Sequence, residues 1–96
     1  MHNLYPHTME RIQKHRQSIL QYAHEIGIDD VRVFEDTNQH RMGLLIKAKE
    51  SLGWDYFGFA SVIEEMVGDE LTIITSEGAK ENNYYKDIDL SHATPL

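Results

Sequence analysis

Val31-Arg32-Val33-Phe34, the polar run Glu35 to His40, and Met42-Gly43-Leu44-Leu45-Ile46-Lys47-Ala48 are the stretch on which the fold turns. The first string is short, β-branched and aromatic, which suits a pleated surface and predicts a strand. The last carries the continuous apolar run Leu44-Leu45-Ile46 and predicts a second strand. The polar residues between them read as a turn. A connection that short joins neighbouring antiparallel strands, so the whole stretch reads as a hairpin.

The chain around the hairpin reads outward in both directions. Before it, Met9, Ile12, Ile19, Leu20, Ala23 and Ile26 recur at helical spacing. Thr8 is a candidate N-cap and Gly27 a candidate C′ residue, which predicts a helix over residues 9–26. After the hairpin, Ser51 to Asp55 reads as a loop. Phe59, Val62, Ile63 and Met66 then predict a helix over 56–67, ended by Gly68. Leu71 to Thr75 is β-prone and reads as a third strand. A weak helical tendency over Ala79 to Leu90 is interrupted by Asn82-Asn83. Residues 1–7 and 91–96 read as loose tails. The predicted class is α+β: one domain over residues 1–96, a two-layer sandwich with a small mixed sheet and helices packed on one face.

Composition narrows the functional classes. The 96 residues include no cysteine, which excludes a disulfide framework and thiolate metal sites and fits the cytoplasm. No apolar run approaches a membrane span, and Met1 to His7 lacks the apolar core of a signal peptide. The formal net charge of −7 disfavours broad nucleic-acid binding, since a phosphate backbone repels an acidic surface. Lys14, His15 and Arg16 form the one dense basic run, and helical spacing spreads them around the axis. A chain this small has little stability to spare, so a partner, another protein or a second copy, is expected.

Several strings, in this order, resemble the minimal nucleotidyltransferase family, the small relatives of DNA polymerase β often encoded beside HEPN proteins. They are Ile26-Gly27-Ile28 with Val31-Arg32-Val33-Phe34, then Glu35-Asp36-Thr37, then Leu44-Leu45-Ile46. Gly68, Leu71, Ile73-Ile74-Thr75, Glu77-Gly78 and the ending Ala93, Pro95, Leu96 continue the likeness, which covers residues 16–96. The resemblance implies a nucleotidyltransferase-like sandwich. In active relatives it also implies a Gly-Ser loop for the triphosphate, and three aspartates that hold the Mg²⁺ ions activating the attacking oxygen and stabilising the leaving pyrophosphate.

This chain departs from that pattern at each point. No Gly-Ser pair occurs anywhere, and Phe34 runs directly into Glu35-Asp36-Thr37. With Leu44-Leu45-Ile46 setting the register, the paired aspartates fall at Arg41 and Gly43 and the third at Thr72. Glu35, Asp36, Arg41, Gly43 and Thr72 are therefore the degenerate active-site positions. No catalytic residue and no metal ligand is expected, and the Mg²⁺ of active relatives is expected to be lost. Arg41 places a cation where a metal ligand stood and is expected either to be exposed or to pair with Glu35 or Asp36.

Other features read more plainly. Asp87-Ile88-Asp89 imitates a paired-aspartate strand but follows the third strand, with no Gly-Ser loop before it. Asp29, Asp30, Glu35 and Asp36 suit turns. The six histidines lack a compact ligand spacing. Trp54, Tyr56, Phe57 and Phe59 crowd the start of the second predicted helix, at least two facing away from the core, and form a candidate interface. The resemblance and its losses together imply a catalytically inactive, antitoxin-like partner subunit of a HEPN-type protein. The alternatives are a nucleotide-binding regulatory domain working without metal and, last, an active nucleotidyltransferase using Asp87 and Asp89.

Overall fold

A computed structural model describes residues 5–81 and 93–96. In chain order these form α1 (Pro6–Lys14), α2 (Arg16–Glu25), β1 (Ile28–Asp36), β2 (Arg41–Ala48), α3 (Trp54–Val67), β3 (Thr72–Thr75), α4 (Ser76–Glu81) and β4 (Thr94–Pro95). The protein is α+β, with four helices and one mixed open sheet among the described residues. The expected hairpin is present. β1 and β2 pair antiparallel from Ile28 against Ala48 to Asp36 against Arg41, and no helix stands between Phe34 and Leu44. α3 carries the chain back over the sheet, so β3 runs parallel to β2, and the strand order is β3-β2-β1-β4.

The alternation of side chains along each strand divides the sheet into two faces. Val31 and Val33 of β1, Met42, Leu44 and Ile46 of β2 and Ile73 of β3 point to one face. There they meet Ile12, Ile19 and Ala23 of α1 and α2 and Phe59, Ile63 and Val67 of α3. The expected packing of helices on one face holds for these three. α4 departs from it: Ala79 packs with Phe34, Leu45, Ile74 and Ala93 on the opposite face. The hydroxyl of Thr75 accepts a hydrogen bond from the Gly78 N–H at 3.0 Å, an N-cap that turns β3 directly into α4.

β1 is longer than the expected Val31–Phe34 at both ends, so Asp29, Asp30, Glu35 and Asp36, expected in turns, lie in the strand that the long ladder to β2 extends. The remaining boundaries differ from expectation in four places. The first helix starts at Pro6 rather than after Thr8. Proline costs nothing at a helix start, where its missing N–H would have no partner. Thr8 thus lies inside α1, and its hydroxyl donates to Asp69 at 2.9 Å. That helix is also interrupted at His15 (φ −101°, ψ 14°), so the single helix expected over 9–26 is two. Ile12 and Ile19 are both fully buried on either side of the break, which explains why the apolar period alone conceals it. α3 begins at Trp54, two residues early, and ends as expected at left-handed Gly68 (φ 80°).

The fourth difference is the C-terminal stretch. The loose tail expected over 91–96 does not hold for residues 93–96. Arg32 pairs with Pro95 and Val33 with Thr94, and Ala93 and Leu96 are buried. Leu96 enters the main core, its N–H donates to the Val31 carbonyl at 2.9 Å, and its carbonyl accepts from Arg16 Nε at 2.7 Å. Proline is tolerated there because β4 is an edge strand. Pro6 and His7, expected in the opposite tail, belong to α1. Most of the weak helix expected over 79–90 lies outside the described residues. No described helix is long and apolar enough to cross a membrane.

Candidate functional site

Arg41, Gly43 and Thr72 occupy alternate positions on the sheet face opposite α1–α3, and the ladder brings them together. Gly43 pairs with Thr72 across β2 and β3, and Arg41 pairs with Asp36 across β1 and β2. Asp36 has no exposed surface. One of its carboxylate oxygens, Oδ1, accepts the N–H groups of Asn38 and Gln39, each at 3.1 Å, which fixes the hairpin turn. The other, Oδ2, accepts the Thr72 hydroxyl at 2.5 Å. Thr72 Oγ1 in turn accepts Arg41 Nε at 2.9 Å, so the hydroxyl relays between carboxylate and guanidinium. Arg41 Nη1 reaches the exposed Glu70 at 3.3 Å.

Arg41 therefore answers the sequence reading in a different way. It is half-buried, its carboxylate contact is Glu70, and it reaches Asp36 only through Thr72. Sequence reasoning missed Glu70 and the relay. The signal available was the strand register: once β2 and β3 are parallel, Arg41 and Thr72 share a face and can touch.

Gly43 is buried beneath an aromatic ring. It pairs with Phe34, and a Cβ placed on Gly43 would lie 2.6 and 2.9 Å from Phe34 Cε1 and Cε2 and closer still to Cζ. An aromatic ring commonly lies over a cross-strand glycine in this way. Any larger side chain at position 43, an aspartate included, would have to displace that buried ring. Glu35 is half-buried on the same strand.

Beside this network a cleft of about 370 Å³ opens between α1, the hairpin turn and the start of β3. Tyr5, Thr8, Gln39, His40, Arg41, Asp69 and Glu70 line it. Asp69 is engaged by Thr8 and by Arg11 Nη1 at 2.7 Å, which ties α1 to the turn before β3. His40 holds a left-handed backbone (φ 55°), as a tight hairpin turn demands.

The aromatic group at the start of α3 divides. Phe59 has no exposed surface and stacks on Tyr22 at 5.9 Å. Tyr56 is half-buried, and its hydroxyl donates to the Ile73 carbonyl. Trp54 and Phe57 are exposed. The expected outward pair is thus Trp54 and Phe57, and Phe59 is not available to a partner. Asp29 lies 3.9 Å from Lys49, and Asp30 holds Arg32 at 2.8 Å. Asp87 and Asp89 lie outside the described residues. Among the described residues no three His, Asp or Glu side chains converge as metal ligands.

Comparison of the chain with protein-family models, with curated proteins and with solved structures finds no match.

Proposed function

We propose that the chain is a non-catalytic binding module on a nucleotidyltransferase-like sandwich, an antitoxin-like subunit of a HEPN-type partner protein. One observation supports it above others. The positions matched to the family's metal ligands are occupied by a closed set of groups: Phe34 covers Gly43, and Thr72 bridges the buried Asp36 to Arg41. Magnesium needs oxygen ligands in tight octahedral geometry, and a guanidinium at that point opposes it.

Thermal melts with millimolar ATP or GTP and Mg²⁺ test the loss of catalysis. A ligand at 100 times its Kd would add about 2.7 kcal/mol. For a domain of this size that raises Tm by roughly 10 °C or more. No shift is expected. A saturable shift abolished by EDTA would overturn the reading, and Asp87 and Asp89 would be the first residues to mutate. Co-expression with a HEPN-type protein tests the partner, with stable co-purification expected.

A second reading has one observation in its favour. Arg41 lines the cleft with its guanidinium held by Thr72 and the exposed Glu70, and an anion that displaced Glu70 would take its place, which a metal-independent nucleotide-binding regulatory domain would use. A Tm shift with nucleotide that persists in EDTA would favour it.

A further inference from the structure

Trp54 and Phe57 are the large hydrophobic residues left exposed among the described ones, at 87% and 63%. Gly53 precedes them with φ 56° and ψ −128°, a backbone that only glycine adopts readily, and it sets where α3 begins. The two rings lie 5.9 Å apart, and Tyr56 stands edge-on to Phe57 at 5.4 Å. Since the Tyr56 hydroxyl is tied to β3, Phe57 leans on an anchored ring. Phe57 is thereby supported in the free protein, which lowers its ordering cost on binding.

Area and charge decide what covers it. The two side chains expose roughly 300 Å², under half of the ~800 Å² per partner in a standard interface. A two-fold contact between copies resting on the two rings alone is too small. It would also set Glu50, Asp55 and Glu65, all exposed, against their own images, in a chain of net charge −7. Two exposed cations stand nearby in sequence, Lys47 and Lys49, both on or just after β2 rather than on α3, and Lys49 lies near Asp29. Trp54, Phe57, Gly58, Ser61 and Glu65 share one exposed stripe of α3. Gly58 and Ser61 let a second backbone come close, so a helix laid along the stripe gains area beyond the two rings.

We propose that this stripe docks an amphipathic helix of a partner protein, with an apolar seam flanked by lysine or arginine. The seam takes Trp54 and Phe57, and the cations face Asp55 on its flank and Glu65 at the far end of the stripe. This rests on the binding-module reading and specifies its partner.

Trp54 is the chain's one tryptophan, so its emission reports from the patch alone. The full chain is titrated with a helical peptide of leucine and lysine, with a matched leucine–glutamate peptide and with phosphatidylcholine vesicles. A saturable blue shift with the lysine peptide is expected, with none for the other two. The Asp55→Lys, Glu65→Lys double variant should weaken it at least tenfold, and Phe57→Ala should abolish it. Circular dichroism checks that these exposed substitutions leave the fold intact. No response to the lysine peptide, an equal response to both peptides, a shift on vesicles, or binding undiminished in the double variant would overturn the proposal. A blue shift that grows with protein concentration alone, with sedimentation at twice the mass, would assign the patch to a second copy. That result overturns the basic helix and leaves the binding-module reading standing, whereas a metal-dependent nucleotide shift in Tm removes the reading itself.

Discussion

Asp36 is a buried carboxylate whose hydrogen bonds join a turn, a strand and an arginine relay. Removing it takes the acceptor from the buried Thr72 hydroxyl, frees two N–H groups of the exposed turn, and leaves a hole where a fully buried side chain stood. Asp36→Ala is therefore expected to cost ~3 kcal/mol or more, read from urea unfolding. Gly43 makes a second residue-scale prediction. Gly43→Ala forces a methyl into the Phe34 ring and should cost ~2 kcal/mol by overpacking. In a Phe34→Leu background the same change should cost clearly less, because the ring is gone. Equal costs in both backgrounds would show that the ring is not the obstacle. The resemblance implied that Arg41, Gly43 and Thr72 lie together, and in the structure they share one sheet face. The sequence did not show that Phe34 fills the space over Gly43 or that Thr72 reaches Asp36. Those contacts depend on cross-strand register, which a string of residues does not carry.

At the scale of elements, α3 and β3 are tied twice. Glu64 Oε2 accepts the Leu71 N–H at 3.0 Å, and Tyr56 donates to the Ile73 carbonyl. Burial first, and the nearby Glu64 carboxylate second, push the Tyr56 hydroxyl above its ordinary pKa of 10.0. The neutral form is thus favoured in the folded chain. Its stabilising effect is complete below the unfolded value and is lost as pH rises through the folded one. The stability gap between the wild type and Tyr56→Phe, read from urea midpoints, should be widest near neutral pH and narrow above pH 10. A gap that stays constant would show that Tyr56 does not titrate with unfolding. Which elements were legible follows the same logic. The hairpin and α3 announce themselves by apolar period and by glycines at their ends. The break at His15 does not, because buried Ile12 and Ile19 keep the period across it. β4 is two residues long and includes a proline, so no local pattern marks it.

For the molecule as a whole, β4 is what closes the sheet beyond β1. Leu96 sits in the main core with 7% of its surface exposed, so Leu96→Ala should cost ~2–3 kcal/mol. For a domain of this size, that lowers Tm by roughly 10 °C or more. A change of only a degree or two would mean that the end of the chain is not docked in solution.

The sheet's pairings also differ in how far the chain must travel to make them. β1 meets β2 across a tight turn, Arg41 meets Thr72 across 31 positions, and Arg32 meets Ala93 across 61. Doubling a loop adds only ~0.6 kcal/mol of closure entropy, so the long route weakens the folded state little. Its effect falls on rate, because distant pairings wait for nearer ones to limit the search. β4 is then expected to dock after the folding barrier. Leu96→Ala should speed unfolding by nearly its whole energetic effect and leave the refolding rate almost unchanged. Until that docking, the outer edge of β1 at Arg32 and Val33 stands without its strand, open to pairing with another chain. Refolding yield should therefore fall with protein concentration, and fall further when Leu96 is truncated.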